Sequence, residues 1–242
     1  MNSLGLLSEF QAVLRNYKPH PDAIHALEKL KLVLLVGPTS SGRNTIINHL
    51  LTTDAYHSVI SDTTRKPREN NGILEQNGRE YWFRSEEEIL ADLRQGLFLE
   101  AAIIHQQQVS GISLRELQNV LADHKIAINE VQPDGAANVH KYSPNNSIIM
   151  FVLPPSFDEW ITRMTIRGSL PEDEITRRLE SAVAELETAL SADYYTFVIN
   201  DTFKHTTKQI DDFVRHGAPI DQAKARACAE ELLAEVKAHL AV

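Results

Sequence analysis

The feature that most constrains this chain is a buried-strand signal that runs straight into a loop bracketed by two glycines. The apolar run Leu32–Val36 leads into Gly37, and Gly42 follows after four further residues. Glycines at these two points let successive backbone N–H groups converge on phosphate oxygens at a helix N-terminus. The segment KLVLLVGPTSSGRNT therefore predicts a strand, a phosphate-binding loop and a helix. An ordinary strand-turn-helix unit without a ligand is the alternative.

The residues that close this loop differ from the usual phosphate-loop pattern. Arg43 stands where Lys is expected, so the charge is kept but a planar fork replaces a compact ammonium. Asn44 stands where a Ser or Thr hydroxyl would contact Mg²⁺, a cation that prefers oxygen ligands such as an amide oxygen. The residues that we expect to contact ATP phosphates are Gly37, Ser40, Ser41, Gly42, Arg43, Asn44 and Thr45.

Composition excludes several classes of protein. The chain of 242 residues has a net charge of −9, which argues against a protein that wraps nucleic acid. A single cysteine, Cys228, excludes an internal disulfide and suits a reducing compartment. The N-terminus lacks a signal-peptide pattern, and no apolar run approaches the ~20 residues needed to cross a bilayer. We expect a cytoplasmic protein that binds neither nucleic acid nor membrane.

Short apolar runs alternate with helical or loop sequence along the rest of the chain. Residues 125–129, 147–153 and 195–200 are such runs, and they are rich in Ile and Val. This alternation is typical of a parallel sheet covered by helices. We therefore predict an α/β fold with a five-stranded, P-loop-type parallel core sheet.

Composition also predicts how the chain is divided into domains. Residues 1–30 are expected to form an N-terminal helical extension, and residues 31–215 the main domain. Within the main domain, residues of about 61–118 are polar and aromatic, which indicates an inserted subdomain. Residues 216–242 are expected to end the chain in an Ala-rich helix with one apolar face. The terminal helices are the expected surface for a second copy or a protein partner.

A second polar segment carries two arginines spaced by three residues. Arg65 and Arg68 are flanked by hydroxyl residues and held by Pro67. With the Tyr81 hydroxyl, they could bind a phosphate monoester through charge-assisted hydrogen bonds. A solvated, basic surface loop is the alternative.

The order of these motifs resembles that of the guanylate kinase family over roughly residues 31–212. Family members carry G-P-S-G-x-G-K-S-T, then S-x-T-T-R-x-P-R, then N-G-x-D/E-Y-x-F. The corresponding segments here are 37–45, 61–68 and 77–83, and further matches are 96–100, 126–135, 151–156, and a lid pattern at Arg163, Arg167, Gly168 and 175–179. Such ordered motifs at near-family spacing make the resemblance specific.

The resemblance implies ATP-dependent phosphorylation of GMP to GDP with Mg²⁺. It also implies a P-loop parallel sheet with a GMP-binding insert at about 61–118 and a helical lid at about 157–180. Arg43 and the lid residues would stabilise charge on the transferred phosphoryl group. These candidate catalytic residues are Arg43, Arg163, Arg167 and Arg178. Without the family, the lid arginines would be assigned to a solvated helix face.

The resemblance also implies which residues bind GMP. Arg65, Arg68 and Tyr81 would hold its phosphate, while Ser61 and Glu100 would bind the guanine. A carboxylate can accept hydrogen bonds from both N1–H and the exocyclic amine of guanine, which adenine does not offer together. A surface acid is the alternative for Glu100. The GMP-binding set implied by the family is Ser61, Arg65, Arg68, Tyr81, Glu100 and Glu130.

Most departures from the family pattern lie on the ATP side. Beyond the two loop residues described above, Ser40 replaces an inner glycine, and Glu130 and Gln132 fall on the family's paired aspartates. Ser110 occupies the place of a tyrosine in the guanosine site. Phosphoryl transfer depends on positioning and charge stabilisation, so we expect slower turnover than in the family. The alternative is a catalytically weak or inactive module that binds GMP or a phosphorylated protein partner.

Overall fold

The computed structural model describes residues 4–70, 72–104, 106–166 and 171–241. The chain forms two compact units. The first unit comprises Met1–Leu32, His57–Ala127 and Lys141–Asn146, and the second comprises Val33–Tyr56, Ile128–His140 and Ser147–Val242. Each unit is therefore built from segments that are distant in the sequence.

The regular elements are numbered in chain order. The strands are β1 (Leu32–Val36), β2 (Tyr56–Ser58), β3 (Asp62–Thr63), β4 (Glu69–Asn70), β5 (Ile73–Leu74), β6 (Trp82–Phe83), β7 (Phe98–Ile104), β8 (Gln108–Ser113), β9 (Ile126–Glu130), β10 (Ser147–Leu153) and β11 (Tyr195–Ile199). The helices are α1 (Leu7–Leu14), α2 (Pro21–Glu28), α3 (Arg43–Leu50), α4 (Glu86–Arg94), α5 (Leu114–Asp123), α6 (Pro133–Tyr142), α7 (Phe157–Ile166), α8 (Glu172–Ser191), α9 (Phe203–His216) and α10 (Gln222–Leu240). Of the helices in the described ranges, none is both long enough and apolar enough to span a bilayer.

A five-stranded sheet has the order β11-β10-β1-β9-β2, and most of its residues belong to the second unit. Every residue of β1 is buried, and β10 pairs in parallel with β11. Strands covered on both faces need apolar residues at consecutive positions, which explains the continuous apolar runs of the sequence. Helices α3 and α7 to α10 belong to this unit. The predicted α/β class, with a parallel sheet flanked by helices, is confirmed.

The first unit contains a four-stranded sheet with the order β6-β3-β8-β7 and a small β4-β5 hairpin. Strands β7 and β8 pair antiparallel, and Gly111 of β8 lies against the backbone of β7. A Cβ atom at position 111 would lie 2.3 Å from the carbonyl oxygen of Glu100. Only glycine permits this approach without a shift of the backbone.

The N-terminal helices pack within the first unit. Phe10 of α1 lies in one buried cluster with Ile89 and Leu93 of α4 and with Phe98 of β7. The Tyr17 hydroxyl donates to the carbonyl oxygen of Phe98 at 2.7 Å. The segment from Leu4 to Tyr17 therefore shares a core with the sheet formed by the insert.

A side-chain cap sets the start of the last helix. The carboxylate of Asp221 accepts a hydrogen bond from the backbone N–H of Lys224 at 3.0 Å, and α10 begins directly after Asp221. Such a cap satisfies one of the N–H groups that have no partner within a helix. Buried side chains on one face of α10 then confirm its amphipathic pattern; they are Ala225, Ala229, Leu232 and Val236.

Candidate active site

In the second unit, the loop between β1 and α3 has the shape that its glycines predict. Gly37 has φ of +142°, and a Cβ there would lie 2.4 Å from the carbonyl oxygen of Val152. Gly42 has φ of +100°, and its Cβ would lie 2.2 Å from the amide nitrogen of Asn200. At both positions a side chain is disfavoured by the positive φ, and its Cβ would clash with a neighbouring atom. The loop backbone therefore packs directly on the ends of β10 and β11.

Ser40 adopts a left-handed conformation in the middle of this loop. Its φ is +66°, a region that non-glycine residues rarely occupy. The left-handed conformation costs a residue with a side chain roughly 1–2 kcal/mol. The family resemblance implies glycine at this position. Ser40 therefore adopts a backbone conformation that suits glycine, and its own backbone is strained.

At the start of α3, Arg43 and Asn44 share a single carboxylate. The Arg43 Nε lies 3.8 Å from Oε2 of Glu130, and the Arg43 side chain is 15% exposed. With its amide oriented to satisfy both groups, the Asn44 nitrogen donates to the two carboxylate oxygens of Glu130 at 2.6 and 3.1 Å. The sequence placed Glu130 in the GMP site. In the structure, its carboxylate lies beside the loop residues of the second unit.

Glu185, on α8, is a further acid close to the loop cation. Burial raises the pKa of Glu185 to about 7, and the charge of Arg43 acts in the opposite direction. Its Oε2 is buried and makes no hydrogen bond with the described residues. Sequence reasoning missed Glu185. The available signal was an acid next to the buried Leu186 on the apolar face of the helix.

Arg163 and Arg178, the expected lid arginines among the described residues, each pair with a glutamate of their own helix. Arg163 donates from Nε to Glu159 at 3.0 Å and from Nη2 to the carbonyl oxygen of Asp201 at 3.2 Å. Arg178 donates to Glu174, one turn earlier, at 2.8 Å. The third arginine of the expected lid, Arg167, lies outside the described residues.

The donor set at the loop suits Mg²⁺ bound together with substrate phosphates. The described side chains include no group of three His, Cys, Asp or Glu placed to hold a metal ion. Mg²⁺ usually takes one or two protein oxygens and completes its coordination with phosphates and water. The carboxylate of Glu130 fits this requirement, whereas the Asn44 amide, whose nitrogen donates to that carboxylate, would have to rotate to offer its oxygen.

In the first unit, Arg65 is held between a carboxylate and an aromatic ring. Its two terminal nitrogens donate to the two oxygens of Glu75 at 2.5 and 2.9 Å. Its guanidinium lies 4.6 Å from the centre of the Tyr81 ring. Glu75 also accepts from the backbone N–H of Arg68 at 2.8 Å. Hydrogen bonding from Arg65 lowers the pKa of Glu75 to about 2, although burial acts in the opposite direction.

The two expected clamp arginines therefore differ in their surroundings. Arg65 is oriented by the buried carboxylate of Glu75, a partner that sequence reasoning did not identify. The Arg68 side chain is exposed, while its backbone is anchored by the same carboxylate. One acid thus brings Arg65 and the backbone of Arg68 together on one loop of the first unit.

Glu100 is a buried acid on β7 with little compensation for its charge. Only 8% of the residue is exposed. Burial raises the pKa of its carboxyl to about 7, and a hydrogen bond from the backbone of Ile112 opposes that shift. A strongly perturbed buried acid marks a candidate functional position. Of the residues expected near it, Ser61 accepts from the Trp82 backbone N–H through its backbone carbonyl oxygen at 2.9 Å, and the Ser110 hydroxyl donates to the Thr63 hydroxyl at 2.8 Å.

Comparisons with known proteins agree with this geometry. The family model described as guanylate kinase matches residues 29–217. The guanylate kinase of Cupriavidus metallidurans is 34% identical over 209 residues, which cover 86% of this chain and 93% of that protein. The guanylate kinase of Corynebacterium diphtheriae is 35% identical over 187 residues, or 76% of this chain and 94% of that protein.

A solved structure shares the fold. It is the crystal structure of guanylate kinase from Anaplasma phagocytophilum, which aligns with a TM-score of 0.59 at 21% identity. The alignment covers 85% of this chain and 94% of the other. At this level of identity, the likeness establishes the arrangement of the elements.

The strained loop residue leads to a prediction about stability. Ser40→Gly removes the left-handed penalty but adds freedom to the unfolded chain, so the folded state should gain roughly 0.5–1 kcal/mol. Urea denaturation of both proteins measures the difference. Ser8→Gly is the control, because Ser8 is an exposed residue of α1 without a positive φ and should lose stability. Equal effects of the two substitutions would contradict strain at Ser40.

The buried Glu100 leads to a prediction about pH. Its folded pKa of about 7 exceeds the reference value of 4.5, so the folded state binds the proton more tightly and loses stability as pH rises between these values. Glu100→Gln removes this loss. The variant should gain about 2–3 kcal/mol over the unmodified protein between pH 5 and pH 8.

Urea denaturation at the two pH values measures this gain. Glu87→Gln changes an exposed acid of α4 and serves as the control, with no such trend expected. A difference between Glu100→Gln and the unmodified protein that is independent of pH would show that Glu100 titrates normally.

Proposed function

We propose that this chain, which belongs to the guanylate kinase family as its motifs predicted, transfers the γ-phosphoryl group of ATP to GMP, giving ADP and GDP. The observation that carries the proposal is the loop between β1 and α3, whose backbone tolerates no side chain at Gly37 or Gly42. Such a loop directs backbone N–H groups at phosphate oxygens. The single cysteine and the use of ATP support a cytoplasmic location.

The loop residues would bind the phosphates of ATP. The N–H groups of residues 40 and 42–45 supply donors at the N-terminus of α3, while that of Ser41 donates to the carbonyl oxygen of Pro38, and Arg43 supplies a positive charge. Mg²⁺, when bound beside Asn44 and Glu130, would neutralise part of the phosphate charge. Arg163, Arg167 and Arg178 are proposed to stabilise the transferred group, since charge stabilisation is the main catalytic requirement of phosphoryl transfer.

The phosphate of GMP would bind to the arginine-bearing loop of the first unit. Arg68 is exposed and can reach a ligand, while Arg65 is already oriented by Glu75 and Tyr81. A guanidinium that is fixed before binding loses less conformational entropy when the phosphate arrives. We therefore assign Arg65 to orientation of the phosphate and Arg68 to most of the gain in binding energy.

Glu100 and Ser61 would select guanine. Burial disfavours the Glu100 carboxylate, which a single hydrogen bond from the backbone of Ile112 compensates only in part. Guanine offers two donors, N1–H and the exocyclic amine, so binding would compensate a charge that is costly without the ligand. AMP presents an acceptor at N1 and no amine at C2. Specificity of this kind is strong because the wrong base leaves buried polar groups unpaired.

The second candidate is a module of the same family that binds GMP or a phosphorylated protein but does not transfer phosphate. It is favoured by the contacts of Glu130 with both Arg43 and Asn44, which partly neutralise the loop cation. A coupled assay of the purified protein with ATP, GMP and Mg²⁺ distinguishes the two. GMP-dependent ADP formation, absent with AMP, supports the kinase. Tight GMP binding without turnover supports the module, and absence of GMP binding overturns the kinase and the GMP-binding form of the module.

The clamp assignment predicts the effect of a single substitution. Arg68→Ala removes a charge-assisted partner of the GMP phosphate, so GMP binding should weaken by at least ~1.5 kcal/mol. Isothermal titration calorimetry measures the change. Arg79→Ala removes an exposed arginine of the same unit that pairs with Glu80, and GMP affinity should then be unchanged. If both variants bind GMP like the unmodified protein, the clamp lies elsewhere.

The altered loop predicts a gain in turnover. Arg43→Lys with Asn44→Ser restores the family pattern, and the new groups act on charge that develops in the transition state. We expect the unmodified protein to have a kcat below the usual ~1–100 s⁻¹ of kinases. The double variant should have a higher kcat, with little change in its KM for GMP.

The same substitutions should be coupled, because both residues contact Glu130. Rates of the two single variants and the double variant, measured with saturating ATP, form a double-mutant cycle. Additive effects would argue against the shared carboxylate. An ordinary rate in the unmodified protein together with a slower double variant would show that Arg43 serves an alternative working geometry.

A further inference from the structure

Two buried side chains donate hydrogen bonds to backbone carbonyl groups of the phosphate loop. The indole Nε1 of Trp160 donates to the carbonyl oxygen of Thr39 at 2.8 Å. The amide Nδ2 of Asn200 donates to the carbonyl oxygen of Ser41 at 2.7 Å. Trp160 is fully buried and Asn200 is 4% exposed. All four residues belong to the second unit.

These bonds set the direction of two backbone donors. In a trans peptide, the C=O of one residue and the N–H of the next lie in one plane and point in opposite directions. Fixing the Thr39 carbonyl therefore fixes the N–H of Ser40, and fixing the Ser41 carbonyl fixes the N–H of Gly42. Both N–H groups are turned away from the buried donors, as a phosphate-binding loop requires.

The bond from Trp160 acts where the loop is most strained. It holds the peptide that leads into Ser40, the residue with φ of +66°. Without that bond, the Thr39 carbonyl would lose a buried partner, and Ser40 would be freer to leave the left-handed region. Serine at position 40 can hold the left-handed conformation that glycine would adopt there only if surrounding contacts stabilise it.

We propose that Trp160 and Asn200 are positioning residues of the phosphate loop, which hold its peptide planes so that the N–H groups of Ser40 and Gly42 face the phosphates of a nucleoside di- or triphosphate. The inference rests on the proposed phosphate-binding role of the loop. Trp160 lies on α7, which also carries Arg163 one turn later, so the same helix holds the loop and one lid arginine.

The central test is Trp160→Phe, which keeps an aromatic ring in the buried site but removes the N–H donor. The affinity for ADP with Mg²⁺, measured by calorimetry, should fall about tenfold, and the affinity for GMP should not change. Trp82→Phe is the matched control. It removes the other indole of the chain, which donates to Glu116 in the first unit, and should leave ADP affinity intact.

A second measurement does not depend on the folding of the Trp160 variant. In the Trp82→Phe protein labelled with ¹⁵N, the remaining indole N–H resonance reports on the bond to Thr39. It should shift on saturation with ADP and Mg²⁺, and it should stay in place on addition of GMP alone.

The outcomes separate this inference from the proposed function. Unchanged ADP affinity in a folded Trp160→Phe variant, or an indole resonance that ignores saturating ADP, overturns the positioning role while the kinase proposal stands. Absence of ADP and ATP binding in the unmodified protein overturns the phosphate role of the loop, and the positioning role with it. Selective loss of ADP affinity together with the indole shift supports the inference.

Discussion

The close packing of the phosphate loop against the ends of β10 and β11 is the constraint on which the proposed site depends. At Gly37 the loop backbone approaches the backbone carbonyl of Val152 so closely that no Cβ fits, and a Cβ at Gly42 would overlap the side-chain amide of Asn200. This proximity lets buried donors reach the loop carbonyls. Since each anchored carbonyl orients the N–H of the next residue, a phosphate site can exist here before any ligand is bound.

Features set by local sequence could be predicted, whereas features set by distant pairing could not. The strand β1, the two loop glycines and the parallel sheet follow from apolar runs and from the backbone demands of a tight loop. Trp160 and Thr39, by contrast, are separated by 121 residues, and nothing in the sequence near either one indicates that they meet. The Arg65–Glu75 pair spans only 10 residues, but the intervening hairpin decides which acid faces the arginine.

The contrast between local sequence and distant pairing also limits what could be predicted for the acidic residues. The motif identified Glu100 by its position, but its burial depends on the pairing of β7 with β8 and was not visible in the sequence. Glu185 has no motif at all, and it is distinguished only by its burial near Arg43. Glu100 has one backbone donor and the Oε2 of Glu185 has none among the described residues, so both carboxyls are buried at a cost in stability, which favours a functional role over a structural one.

A protein with a net charge of −9 must keep cations available if it is to bind two phosphate-bearing ligands. Both key arginines have carboxylate partners, but the two pairs differ in strength. Arg65 makes two short bonds to a buried carboxylate, whereas Arg43 lies 3.8 Å from Glu130, whose side chain is 39% exposed. Charges at that separation and exposure attract each other weakly, because water screens them. ATP phosphates would therefore compete readily for Arg43, so its contact with Glu130 does not by itself prevent catalysis. On this argument the kinase is favoured over the inactive module.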